Sequence, residues 1–181
     1  LNSSGQVGDG SLSNRTSPVQ ISADNDWAES FCGGAFGLAA KTDGSLWSWG
    51  INSVGHLGQG FASSVQPSVP ARIQDGGATW LTAAAGGTFA IAARQDTTLW
   101  AWGAYSNGQQ AILPYTMLPL AAPLGAVVGV TAGVANTLVT RADGSLLIWS
   151  SNSSGQLGLG VGDSIPHPAP VPFGSGQQWQ S

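Results

Sequence analysis

Few side chains in this sequence could do covalent, acid–base or metal chemistry, and their spacing limits what they could do. The histidines are His56 and His167, and the single cysteine is Cys32. A hydrolytic triad needs a nucleophile, a base and an orienting carboxylate held together, and no local signature assembles one here. His56 lies in Gly55-His56-Leu57-Gly58, where two matching segments read Gly5-Gln6-Val7-Gly8 and Gly155-Gln156-Leu157-Gly158. It reads as a turn residue standing in for glutamine. His167 lies in Pro166-His167-Pro168, an extended loop fixed by proline. Asp43, Asp96 and Asp143 suggest an acid–base pair. They are equivalent turn residues of successive units, which puts them on a ring and not side by side. Metal ligation lacks cysteine pairs and histidine spacing, and Asp9-Gly10 and Asp163 carry only fragments of a calcium-loop pattern. Cys32 stands in the slot of Ala85 and Ala132, which predicts a small buried residue. No catalytic residue, metal or cofactor is expected.

Three glycine clusters mimic a phosphate-cradling loop: Gly5-x-x-Gly8-x-Gly10, Gly55-x-x-Gly58-x-Gly60 and Gly155-x-x-Gly158-x-Gly160. Such a loop needs a strand before it and a helix N-terminus after it. Prolines follow instead, at Pro18, at Pro67 and Pro70, and from Pro166 to Pro172, so these glycines turn the chain between units. The sequons Asn2-Ser3-Ser4, Asn14-Arg15-Thr16 and Asn152-Ser153-Ser154 are formal glycosylation acceptors, and two of them belong to the asparagine slot of the glycine clusters.

The elements that must position these groups repeat. Asp43-Gly44-Ser45-Leu46-Trp47-Ser48-Trp49-Gly50 returns as Asp96-Thr97-Thr98-Leu99-Trp100-Ala101-Trp102-Gly103 and as Asp143-Gly144-Ser145-Leu146-Leu147-Ile148-Trp149-Ser150. A near-fixed period of this size marks one supersecondary unit stacked until its apolar face is covered. Upstream of each hairpin lie glycines and an apolar run, as in Gly33-Gly34-Ala35-Phe36 and Gly86-Gly87-Thr88-Phe89. Trp27 and Trp80 precede these runs, with Val127 in the third unit and Trp179 beginning a fourth. The runs are short, β-prone and bounded by turn chemistry, which predicts antiparallel strands. Lys41-Thr42-Asp43-Gly44 supplies the positive-φ glycine of a tight hairpin, whereas Arg94-Gln95-Asp96-Thr97 lacks it and predicts a looser turn. The indoles of Trp47 and Trp49 project from one strand face. No long helix is predicted, even for the alanine-rich stretch from Thr82 to Ala93.

Glycine pair, aromatic, strand, Asp-Gly, Leu-Trp-x-Trp-Gly and Asn-x-x-Gly-Gln-Leu-Gly together resemble the regulator of chromosome condensation repeat. The resemblance implies an all-β fold, a β-propeller of four-stranded antiparallel blades, with about three and a half blades here. The units run 1–50, 51–103, 104–150 and 151–181, the last incomplete, within a single partial propeller spanning 1–181. Members of this family are seven-bladed, so a part of a longer polypeptide, or a ring completed between chains through open blade edges, is expected. The resemblance also implies a rigid disc that binds other proteins. An exchange factor for a small GTPase and a self-assembling structural element are the alternatives. The interleaved arginines of the family's ultraviolet sensors are missing here, which sets light sensing aside.

Composition fits a packed β-scaffold. The chain of 181 residues carries 9 acidic and 5 basic groups, a net charge of −4, and only 8% charged residues. A phosphate-gripping protein would show a basic stripe. Three of its five cations, Lys41, Arg94 and Arg141, instead share one repeat slot as turn residues. Nucleic acid is therefore not expected, and a protein partner is what the resemblance implies. No run is long enough to span a membrane as a helix, and the lysine-poor surface suits a bacterial secreted or cell-surface protein. Partner contacts are sought where a unit departs from its siblings. Tyr105 replaces asparagine, Phe61 stands where other units have Ser11 and Val161, and Tyr115 and Met117 lie in an apolar connecting loop. These four residues are the candidate partner-binding set.

Overall fold

The computed structural model describes residues 1–62, 66–104, 115–122, 124–159 and 167–174, with the backbone alone for 115–120. The described residues form twelve strands and no helix. They are β1 (Trp27–Cys32), β2 (Phe36–Lys41), β3 (Leu46–Gly50), β4 (Ala71–Arg72), β5 (Trp80–Ala85), β6 (Phe89–Arg94), β7 (Leu99–Ala104), β8 (Tyr115–Ala122), β9 (Val127–Ala132), β10 (Asn136–Arg141), β11 (Leu146–Ser150) and β12 (His167–Phe173). They make three four-stranded antiparallel sheets, ordered β1-β2-β3-β4, β5-β6-β7-β8 and β9-β10-β11-β12. These are propeller blades, as the repeats predict.

Two apolar cores hold the blades together, and each is shared between neighbours. Phe36, Leu38 and Leu46 of the first sheet pack with Trp80, Ala83, Ala90, Ala92 and Trp102 of the second. Phe89, Ile91, Ala93, Leu99 and Ala101 on the second sheet's other face pack with Val127, Val130, Val139, Leu147 and Trp149 of the third. Strand β6 therefore alternates between two cores, residue by residue, with Phe89 and Ile91 on one face and Ala90 and Ala92 on the other. The alanines have a steric reason: Ala90 lies opposite Trp102 and Ala92 opposite Trp100, and the indoles cover them. In the first sheet Gly37 sits under Trp49 in the same way, where a Cβ would lie 2.3 Å from the ring. This packing is why an alanine-rich run folds as a strand.

Backbone bonds stitch the blades at both ends. Trp80 N–H donates to the Gly44 carbonyl and Val127 N–H to the Thr97 carbonyl, each at 2.9 Å. At the opposite ends of those strands, Gly34 N–H donates to Gly86 O at 3.2 Å and Gly87 N–H to Val134 O at 3.1 Å.

Several expectations change. The turn at Asp96-Thr97 is not looser. Thr97 takes φ 67° beside 79° at Gly44, and the closing bonds match: Thr97 N–H to Arg94 O and Gly44 N–H to Lys41 O, both 2.9 Å. Packing of the neighbouring blade against the Thr97 carbonyl holds a threonine in glycine's conformation. Cys32 is exposed, because it ends β1, whose outer face no further sheet covers among the described residues. Tyr115 and Met117 belong to strand β8, which pairs with β7 through Ala104↔Tyr115 and Gly103↔Thr116, so this part of the apolar stretch is not a loop. His167 likewise opens β12, opposite Ser150.

Candidate interaction surface

The groups that could have done chemistry are engaged in building the frame. Asp43 Oδ1 accepts from Ser45 N–H at 2.8 Å and from the Ser45 hydroxyl at 2.6 Å, and that hydroxyl accepts from Trp47 Nε1–H at 3.0 Å. Asp96, Thr98 and Trp100 form the same relay, with Trp100 Nε1–H donating to Thr98 Oγ1 at 2.8 Å. In the third unit Ser145 still donates to Asp143, while Leu147 replaces the indole. These bonds stabilise the carboxylate form, so Asp43, Asp96 and Asp143 are all held below the usual carboxylate range, with the Ser or Thr hydroxyl as the leading cause. A depressed, exposed turn carboxylate is a poor proton donor at neutral pH. Asp-x-Ser/Thr-x-Trp is a sequence signal for the relay that spacing alone would have revealed.

The cations of the shared slot lie between the indoles. Lys41 Nζ sits 4.8 Å and 4.7 Å from the ring centres of Trp27 and Trp47, which meet edge to face at 6.0 Å. Asp24 and Asp26 hold the same ammonium at 2.9 Å and 3.1 Å, and Asp24 leads in raising its proton affinity. Arg94 stacks 3.6 Å from Trp100 and 5.2 Å from Trp80. In the third unit both aromatic slots are aliphatic, and Arg141 pairs with Asp143 at 3.3 Å instead. Cation and aromatics act as one clamp, and the aromatics drop out together.

The glycine loops hang on their asparagines. Asn2, Asn52 and Asn152 are buried, which leaves Asn14 as the exposed sequon. Asn52 Oδ1 accepts from Leu57 N–H at 3.2 Å, and its Nδ2–H donates to Phe61 O at 2.8 Å. Asn2 bonds Val7 N–H and Ser11 O in the same pattern. Asp9 spends one oxygen on Ser11 and the other on Arg15 at 2.5 Å, and its proton affinity falls to about 2, led by the Ser11 bond. Its oxygens are thus spoken for within the loop. Among the described residues no cluster of His, Cys, Asp and Glu could hold a metal, and no helix is long and apolar enough to cross a membrane.

Exposed apolar side chains mark the surface left over. Phe61 is 43% exposed, on a loop braced through its own carbonyl. Val69 stands out beside Gly10, and Val134 projects where sibling units have Gly34 and Gly87. Substitution of a repeat glycine was the signal that could have found Val134; nothing in the spacing singled out Val69. Of the other sequence-derived candidates, Tyr105 lies outside the described residues, as do the side chains of Tyr115 and Met117.

Comparison with known proteins agrees with this frame. The family model "Regulator of chromosome condensation (RCC1) repeat" matches residues 43–93, from the turn before β3 into β6. The chain is 34% identical over 171 residues to the human protein "Probable E3 ubiquitin-protein ligase HERC6", covering 86% of this chain and 16% of that one. The chain carries the RCC1 repeat. Solved structures extend the likeness in fold. Human WBSCR16 superposes with a TM-score of 0.82 at 22% identity, over 94% of this chain and 46% of that one. Prp20p from Saccharomyces cerevisiae, described with its binding to Gsp1p and histones, superposes at 0.73 and 19%, over 83% of this chain and 39% of that one. The chain thus spans less than half of each of these three relatives.

Proposed function

We propose that this RCC1-repeat chain is a non-enzymatic protein-binding scaffold. One observation carries the reading: Phe61 is held out of the core on a braced loop, in a slot where its siblings carry Ser11 and Val161. An aromatic ring pre-ordered at the surface loses little entropy on binding and offers a large contact area. The consumption of Asp43, Asp96 and Asp143 in turn relays supports the non-enzymatic part. Prp20p, a propeller of the same fold, binds proteins, which supports the class of partner. Tyr105, Tyr115 and Met117 complete the proposed contact set.

The test is alanine substitution at Phe61, Tyr105 and Tyr115, read by thermal unfolding and by affinity for each partner recovered by crosslinking. Affinity should fall at least tenfold with the melting temperature unchanged; parallel loss of both would assign the residues to the core. Exchange-factor activity is the alternative tied to Prp20p and Gsp1p. Accelerated release of labelled GDP from a small GTPase on adding this chain would install that alternative instead. Concentration-dependent mass in light scattering would favour the self-assembling element.

A further inference from the structure

His56 is the one glycine-loop position where a glutamine slot holds a titratable side chain. Its siblings close their own loops: Gln6 Oε1 accepts from Ser4 N–H at 2.9 Å and Gln156 Oε1 from Ser154 N–H at 2.8 Å. His56 gives up that role and turns inward, where it is 2% exposed. Its ring lies 5.6 Å from Phe36 of β2, and its Cα lies 3.4 Å from where a Cβ on Gly103 of β7 would stand. It is therefore enclosed between the first and second blades. Nδ1 is buried without a hydrogen-bond partner, and so is Nε1 of neighbouring Trp102. Gly58, two residues on, packs against that same indole.

We propose that His56 is a pH-sensitive latch between the first two blades, keeping loop 52–60 seated while its imidazole is neutral and releasing the loop when protonated. A charged imidazolium in this pocket would be desolvated, with no carboxylate on β2, β7 or loop 52–60 to offset the cost. Strand β7 and the loop itself contain no charged residue, and the one on β2, Lys41, is engaged by Asp24 and Asp26. Burial accordingly governs the group and pushes its proton affinity down to about 4. In the released loop the imidazole has its ordinary value near 6.5. The seated state is thus fully favoured above pH 6.5, and release grows as pH falls from there to about 4, then levels off. Between pH 7.5 and 5.0 the equilibrium constant for release should rise about thirtyfold.

The latch governs a defined unit. Ser48 Oγ–H donates to Leu57 O at 2.7 Å, Gln59 Nε2–H to Ser48 O at 3.1 Å and Gln74 N–H to Gly58 O at 3.0 Å, so these bonds to β3 and Gln74 are the ones that release must break. Through Asn52 it carries Phe61, so acid would also move that ring. This last link rests on Phe61 as a contact residue; the latch does not.

Hydrogen exchange of the full chain at pH 7.5 and 5.0, expressed as protection factors, tests it. Protection in loop 52–60 should drop about thirtyfold in the wild type, while loop 2–10, with Gln6, holds steady as an internal control. His56→Gln should abolish the drop. Equal losses in both loops, or a pH response that survives His56→Gln, would overturn the latch. Should that variant fail to fold, NMR titration of the wild-type imidazole decides: a midpoint well below 6 supports the latch, and one near 6.5 removes it. Loss of partner binding in Phe61→Ala with an unaltered exchange profile would separate the two proposals.

Discussion

At the scale of single residues, the repeat tolerates departures that the surrounding blades enforce. Thr97 is β-branched yet holds a left-handed conformation at φ 67°, a position that disfavours such residues strongly. Thr97→Gly should stabilise the protein by about 1 kcal/mol, the relief of strain less glycine's extra unfolded-state entropy. Urea midpoints of the two proteins would measure it, and a lower midpoint in the variant would show that the turn is unstrained. Gly58 runs the other way: it combines φ +63° with a Cβ position 2.8 Å from the Trp102 indole nitrogen. Gly58→Ala should cost about 3 kcal/mol by forcing a packed ring to move. Gly76, at φ +71° with nothing within 4 Å, isolates the conformational part, and Gly76→Ala should cost about 1 kcal/mol.

At the scale of elements, the clamp of two indoles around a cation ties β5, β6 and β7 into one face. Arg94 stacks on Trp100 and Trp80 and donates to Asp75 O at 3.1 Å. Arg94→Met should therefore destabilise by about 1–2 kcal/mol. Arg141→Met, lacking aromatic neighbours, should stay within about 0.5 kcal/mol. Equal effects in thermal unfolding would show that the cations matter only as turn residues. The strand pattern behind this clamp was readable from Leu-Trp-x-Trp and the turn aspartates, because period-2 alternation and positive-φ turns are local. The clamp itself was not, since it joins two indoles twenty residues apart that meet only once three strands pair. The same holds for β8: an apolar stretch with prolines carries no local mark distinguishing an outer strand from a loop, and pairing with β7 decides it.

At the scale of the whole molecule, stability against acid should fall in two separate limbs. The first, from pH 6.5 towards 4, comes from His56, whose proton affinity is lowered by burial. The second lies below, where Asp43, Asp96 and Asp143 protonate; their stabilisation is present above the ordinary carboxylate value and is lost as pH falls through their lowered ones. A series of urea midpoints from pH 8 to 3 should show both limbs in the wild type and only the lower one in His56→Gln. A single limb below pH 4 in the wild type would remove the upper assignment. The propeller class was legible in the repeats because every blade restates the same turns. His56 was legible only as an odd turn residue, since its burial depends on a second blade closing over it.

The sheets and the sequence repeats are out of step. β1 to β3 lie in one unit, but β4 at Ala71–Arg72 comes from the next, and β8 and β12 are borrowed likewise. A unit copied with the bounds 51–103 would bring one outer strand for the sheet before it and three for its own. Each duplicate donates its first strand to the sheet already made and leaves its own sheet waiting for the following copy. Descent by duplication thus knits old and new segments at once, and a lost copy leaves its neighbours still able to pair.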